Sequence, residues 1–217
     1  MVPERTRLKL VPTSADGAAS SHAHANEGPL AHLSDAQLVA LTSDDDLGAF
    51  ETLYRRYAPF ALNLAARLQG SATDVEDIVH DAFLRARARL DDLREPSAFR
   101  AWLGSIVVRL VRSRMRRRRL LRTLGLMPTG EPVDLDAVAS PAADPEQRAL
   151  LAQVYALLCT LHANDRIAWT LRYVERHRLE AVAELSGCSL ATAKRRIARA
   201  QHFLSEHFVS PLRESSP

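Results

Sequence analysis

Residues 179–204, LEAVAELSGCSLATAKRRIARAQHFL, decide the fold. Ala181, Val182 and Leu185 place one apolar side on a short first helix. Leu190, Ala193, Ile197, Ala200 and Leu204 recur at three- and four-residue steps, the period of a buried helical stripe. Between the two helices, Ser186-Gly187-Cys188 is a turn. Gly187 supplies the φ > 0 conformation that ends a helix, and the Ser189 hydroxyl is suited to accept an orphan backbone N–H of the next one. Short helix, turn and longer helix form a helix-turn-helix. The outer face of the second helix carries Thr192, Lys194, Arg195, Arg196 and Arg199, with no acid before Glu206. A cationic helix presented by a compact turn suits the major groove of DNA. A helical hairpin with a solvated basic face is the plainer alternative.

Working outward, the 217-residue chain is long enough for two small domains, and 47% apolar residues can fill their cores. With only 6% aromatic residues, the composition favours helices over a β-sandwich. The net charge is only +3, but the charge is strongly segregated, and segregation governs the response to a polyanion. Cys159 and Cys188 lie inside apolar helical patterns, as reduced thiols of a cytoplasmic protein do. A zinc site built on Cys159 and His162 lacks a second ligand pair, and no cofactor is expected. No apolar run reaches the roughly 18 residues that span a bilayer, so no membrane role is expected.

Residues 1–32 lack periodicity and read as a disordered leader. Ser34 caps a first helix. Thr42-Ser43-Asp44 reads as the cap of a second, whose inner side is Phe50, Leu53, Tyr54, Tyr57, Phe60, Leu64 and Leu68. Pro59 should bend or divide it. Thr73 or Asp74 opens a helix with the core stripe Val75, Ile78, Val79, Ala82, Phe83, Ala86 and Leu90. Its first turn is acidic and its last turns are basic, as the helix dipole favours. The dipole does not account for Asp81. Ser97 is placed to cap a long helix whose buried side is Phe99, Trp102, Leu103, Ile106, Val107 and Leu110. Beyond Val108 that helix carries Arg109, Arg112, Arg114, Arg116, Arg117, Arg118, Arg119 and Arg122 with no intervening acid. So many like charges repel one another, and a phosphate backbone would relieve the repulsion. Residues 125–143 are rich in Pro, Gly and acids, as a flexible linker is. Asp144-Pro145 then restarts folding with a cap and a first-turn proline. Helices around Leu150–Leu161 and Ile167–Val174 lead into the helix-turn-helix. The expected fold is all-α: a helical domain at 33–124, the linker, a four-helix helix-turn-helix domain at 144–208, and a tail at 209–217.

Four stretches together resemble bacterial RNA polymerase sigma factors of the extracytoplasmic-function (ECF) group. They are AFETLYRRYAP at 49–59, DVEDIVHDAFLRA at 74–86, FRAWLGSIVVRLVRSRMRR at 99–117 and LRYVERHRLEAVAELSGCSLATAKRRIARA at 171–200. The resemblance implies that Asp74, Asp77, His80, Asp81 and Leu84 dock on the clamp helices of the polymerase large subunit. It implies that Ser97, Arg100, Arg109, Arg112, Arg116 and Arg117 serve recognition and opening of the minus-ten element. Ser189, Ala191, Thr192, Lys194, Arg195, Arg196 and Arg199 would read the minus-thirty-five element. The partners implied are core polymerase through its clamp helices and flap, promoter DNA both duplex and single-stranded, and an anti-sigma factor. His80 stands where the family usually has Gln. Arg109 stands where it often has Asn, which implies a phosphate contact there. Arg195 replaces a small hydroxyl residue, which implies an altered promoter sequence. No Gly-rich phosphate loop, nucleophile–base pair or metal cluster marks an enzyme. A stand-alone helix-turn-helix regulator and an adaptor for acidic proteins are the rival readings.

Overall fold

The computed structural model describes residues 29–70, 74–124 and 145–208. They form eight α-helices: α1 (Asp35–Ser43), α2 (Leu47–Gln69), α3 (Val75–Ala88), α4 (Phe99–Thr123), α5 (Pro145–Thr160), α6 (Ala163–Trp169), α7 (Leu179–Leu185) and α8 (Leu190–His207). The all-α expectation holds among these residues. The tail, the linker and residues 1–28 of the expected leader lie outside them, as do the proposed caps Thr73 and Asp144; the last four leader residues, 29–32, are instead an ordered turn, with Leu30 packed against the core and the Ala31 carbonyl accepting from Arg56 at 3.0 Å.

Helices α1 to α4 pack as one bundle. Ser34 opens α1 with a capping box, its hydroxyl accepting from the Gln37 amide while the Gln37 side chain accepts from the Ser34 amide. The second cap is not where the sequence placed it. Thr42 and Ser43 still belong to α1, their hydroxyls donating to the Leu38 and Val39 carbonyls. Asp45 turns the chain at φ 65°, and the carboxylate of Asp46 then accepts from the Gly48 and Ala49 amides. Helix α2 runs through Pro59 without dividing. Every residue expected in the α3 stripe is buried. Helix α4 buries Phe99, Leu103, Ile106, Val107 and Leu110 as expected, and also Val108 and Val111, because α2 and α3 cover it from two sides. Trp102 is only half-buried. At the start of α4, Phe99 is fully enclosed, its ring 5.5 Å from that of Tyr57. The Tyr57 hydroxyl donates to Asp35; burial and that carboxylate push its pKa up to about 12.

Two caps differ from expectation. Asp74 occupies the N-cap position of α3 in a left-handed conformation, φ 58°, and its side chain caps nothing, because its carboxylate is engaged by Arg118 of α4. Ser97 lies in a 3-10 turn, Pro96–Ala98, ahead of α4 and donates to Glu95 at 2.7 Å.

The second bundle is α5 to α8. Ser189 caps α8 through the Thr192 amide, and Ala193, Ile197, Ala200 and Leu204 are buried, as the periodicity required. Leu190 is the exception at 37% exposure: it sits at the outer corner of the turn, ahead of the packed part of the stripe. After α6 the chain makes a π turn, Thr170–Val174, a wider winding that the apolar pattern of Ile167, Leu171 and Val174 does not distinguish from α. Arg176 then reverses direction at φ 58°.

The turn after it holds a titratable group. The His177 amide donates to the Leu171 carbonyl, and the His177 carbonyl accepts from Arg172. Burial holds the imidazole below its ordinary pKa, with Glu175 opposing more weakly. The unfolded chain titrates near 6.5, so below that pH it binds the proton that the folded chain resists. Stability should be unaffected above about pH 6.5 and fall as the pH drops through that value. Urea unfolding midpoints across pH 7.5 to 5 check this; His177→Gln should flatten the dependence.

Candidate nucleic-acid and protein interfaces

On α4 the arginines divide into two classes. Arg114 donates to Asp81 at 2.9 Å and lies 3.8 Å from Asp77, and Arg118 pairs with Asp74. These pairs fasten α3 to α4 and supply the reason for Asp81 that the helix dipole did not. Arg109, Arg116, Arg117 and Arg119 are exposed, and no carboxylate pairs with them among the described residues. Arg112 is half-buried, and Arg100 lies flat over the Phe60 ring at 4.2 Å. Of the residues expected at the minus-ten element, Arg109, Arg116 and Arg117 are therefore the outward cations without a carboxylate partner among the described residues. Arg100, Arg112 and Ser97 are held by neighbours. Arg119 is exposed in the same way, although the sequence singled it out only as part of the basic run.

The residues expected to face the polymerase separate in the same way. Asp74, Asp77 and Asp81 all lie against α4 arginines. His80 and Leu84 are exposed on the outer side of α3, Leu84 at 55%. Tyr54 of α2, expected on the inner side, is 39% exposed, its ring tilted against that of Phe83 of α3 with centroids 4.5 Å apart.

On α8, Ala191, Lys194 and Arg195 face outward from the first two turns, and Arg195 donates to Thr192 at 3.3 Å. The Ser189 and Thr192 hydroxyls lie 2.9 Å apart at the helix start. Arg199 is different. Its Nε and Nη2 donate to both oxygens of Asp165, at 3.0 and 2.7 Å, and Asp165 is only 5% exposed. That carboxylate lifts the Arg199 pKa through the hydrogen bond first and its charge second. Arg199 thus ties α8 to α6. Arg196 is half-buried, and its Nη1 has no hydrogen-bond partner. The outward cationic surface of α8 is Lys194 and Arg195, framed by Ser189, Ala191 and Thr192.

The two thiols are free, and burial pushes Cys159 above its ordinary pKa. Among the described residues no helix is long and apolar enough to cross a membrane.

The sequence is similar to known proteins over most of its length. Residues 53–120 match the Sigma-70 region 2 family. The chain is 29% identical over 188 residues to the RNA polymerase sigma-H factor of Pseudomonas aeruginosa, covering 83% of this chain and 97% of that protein. It is 29% identical over 192 residues to the ECF RNA polymerase sigma-E factor of Escherichia coli, covering 83% of this chain and 96% of that one. Among solved structures, CnrH in complex with the cytosolic domain of CnrY matches with a TM-score of 0.51 at 28% identity, over 84% of this chain and 99% of that one. The sigma factor RpoE, in complex with the anti-sigma factor NepR from Bartonella quintana, matches with a TM-score of 0.56 over 72% of this chain and 94% of that one. At 24% identity that second likeness speaks to the fold.

Proposed function

We propose, for a chain that belongs to the extracytoplasmic-function group of RNA polymerase sigma factors, a promoter-specificity role carried by two separate cationic helix faces. The protein binds core polymerase and directs initiation from selected promoters. The observation that supports this assignment best is the sorting of charge: Arg109, Arg116 and Arg117 on α4 and Lys194 and Arg195 on α8 face outward with no carboxylate partner among the described residues, while the neighbouring Arg114, Arg118 and Arg199 are engaged by carboxylates of the same chain.

In this reading α4 and the turn before it serve the minus-ten element, and the start of α8 enters the major groove at the minus-thirty-five element. Each stacking step broken on strand opening costs about 1.4 kcal/mol. Capture of an extruded base returns about 1–3 kcal/mol. Binding, without nucleotide hydrolysis, is then enough to offset unstacking. Residues 33–124 and 144–208 act as the two functional units, with 125–143 between them. An anti-sigma partner belongs to the same proposal, as does action in the cytoplasm.

The decisive experiment combines the purified protein with core polymerase on genomic DNA and sequences the transcripts. Defined new start sites that share two spaced elements are expected; their absence, with no binding to core, would overturn the assignment. Within a promoter so found, Arg195→Ala should cost about 1–3 kcal/mol against the preferred minus-thirty-five sequence and relax selectivity at one position. Equal loss on every sequence, in competition binding with core present, would place Arg195 on phosphate instead. Leu84→Lys should leave the helical content unchanged and weaken association with core at least tenfold, measured by fluorescence titration. Undiminished affinity would remove the outer side of α3 from the docking surface.

A further inference from the structure

The chain carries its positive charge almost entirely as arginine. Of its 29 basic residues only Lys9 and Lys194 are lysines. Lys9 lies outside the described residues, so Lys194 is the one lysine among them. It is exposed on the outward face of α8, five positions after the Ser189 cap. The other outward cations assigned above to promoter DNA, Arg109, Arg116 and Arg117 on α4 and Arg195 on α8, are all arginine. The difference is chemical. A guanidinium stays protonated and takes up no acyl group, whereas a lysine amine accepts one and loses its charge. The one acylatable cation of the described fold thus sits on the helix that reads DNA.

Its surroundings leave the amine open. On a helix, residues three and four positions away share a side chain's face. For Lys194 these are Leu190, Ala191, Ile197 and Ala198. Ile197 is buried, and Ala191 and Ala198 are exposed and too short to cover the long stem of a lysine. Leu190, 37% exposed one turn earlier, offers apolar surface to that stem and to a neutral acyl group on it. No carboxylate pairs with Lys194 among the described residues, so neutralising it breaks no ion pair seen there. Arg195 and Arg196 follow directly, and the one hydrogen bond that Arg195 gives among the described residues goes to Thr192 at 3.3 Å. Most of its donors stay free, and phosphate groups suit them.

We propose that Lys194 is an acylation site whose donor is an acyl phosphate, and that the modification weakens the grip of α8 on the minus-thirty-five element while leaving α4 unmodified. The neutral amine attacks the acyl carbon. A C–N bond forms and the C–O bond to phosphorus's oxygen breaks. Inorganic phosphate leaves with the electron pair, and the surplus amine proton passes to water. The product is an uncharged amide where the recognition helix held a cation. The modification stands on the exposure and chemistry of Lys194; its effect on DNA rests on the promoter-reading assignment above.

The test treats the full chain with acetyl phosphate, locates the acetyl groups by peptide mass spectrometry, and measures promoter binding with core polymerase present. Lys194 should carry an acetyl group. Affinity should fall about tenfold, and the plot of log affinity against log salt should flatten by about 0.9, the share of one phosphate contact. Lys194→Arg keeps the charge and takes no acetyl group, so treatment should not change its binding. Lys9→Arg should lose affinity on treatment as the wild type does. Protein recovered from cells that accumulate acyl phosphate should be acetylated at Lys194. An unmodified Lys194 in either setting, full acetylation with undiminished affinity, or a loss that Lys194→Arg shares would overturn the proposal. Failure of the promoter-reading assignment is read separately, by absent transcription from untreated protein with core.

Discussion

Replacing Arg116, Arg117 and Arg119 together with Ala is expected to lower promoter affinity about a hundredfold at 0.15 M salt, and to flatten the plot of log affinity against log salt by about 2.7. The three side chains are exposed on one helix, and no carboxylate pairs with them among the described residues. Every phosphate left without its arginine lowers the salt slope by about 0.9, because one fewer counterion equivalent is released. Arg114 and Arg118 provide the contrast. They are engaged by Asp81 and Asp74, so replacing them should weaken the α3–α4 packing and leave the salt slope nearly unchanged. Fluorescence anisotropy of a promoter fragment between 0.1 and 0.4 M salt, with core polymerase present, separates the two outcomes. An unchanged slope after the triple replacement would mean that these arginines meet an acidic protein instead of DNA.

Phe99→Ala is expected to cost the first bundle about 3–5 kcal/mol of stability. The ring is fully enclosed, 5.5 Å from Tyr57 and 6.1 Å from Trp102. Its removal leaves a cavity where α4 starts and where α1 and α2 converge on it. Against the 5–15 kcal/mol typical of whole domains, that loss would leave a sizeable fraction of the bundle unfolded at growth temperature. Urea unfolding followed by circular dichroism checks it. Phe99→Leu, which keeps much of the volume, should cost clearly less. A loss below about 1 kcal/mol in the Ala variant would mean that α4 is anchored elsewhere along its length.

The parts legible in the sequence were those carried by local periodicity. The α3 stripe of Val75, Ile78, Val79, Ala82, Phe83 and Ala86 is buried without exception. The Ser189 cap and the stripe of Ala193, Ile197, Ala200 and Leu204 emerged as expected. The cap of α2 was missed by a small margin for a physical reason. Asp44, Asp45 and Asp46 are adjacent acids, and the choice among them is made by the left-handed turn at Asp45, which no side-chain pattern announces. Sorting the arginines was beyond reach. Whether Arg114 faces DNA or Asp81, or Arg199 faces DNA or Asp165, depends on partners 33 and 34 positions away, brought alongside only by the packed helices. The acidity of Asp81 was visible and was given a docking role by the resemblance; its partner within the chain, Arg114, was what the sequence could not show.

Arg199, although 65% exposed, shares its charge with Asp165, so the unpaired cationic face of α8 is confined to the eight residues from Ser189 to Arg196. At 1.5 Å of rise per residue that is about 12 Å, roughly the stacking height of three to four base pairs. The upstream element should therefore have a short footprint. Mutations outside three or four consecutive positions should leave discrimination by this helix unchanged.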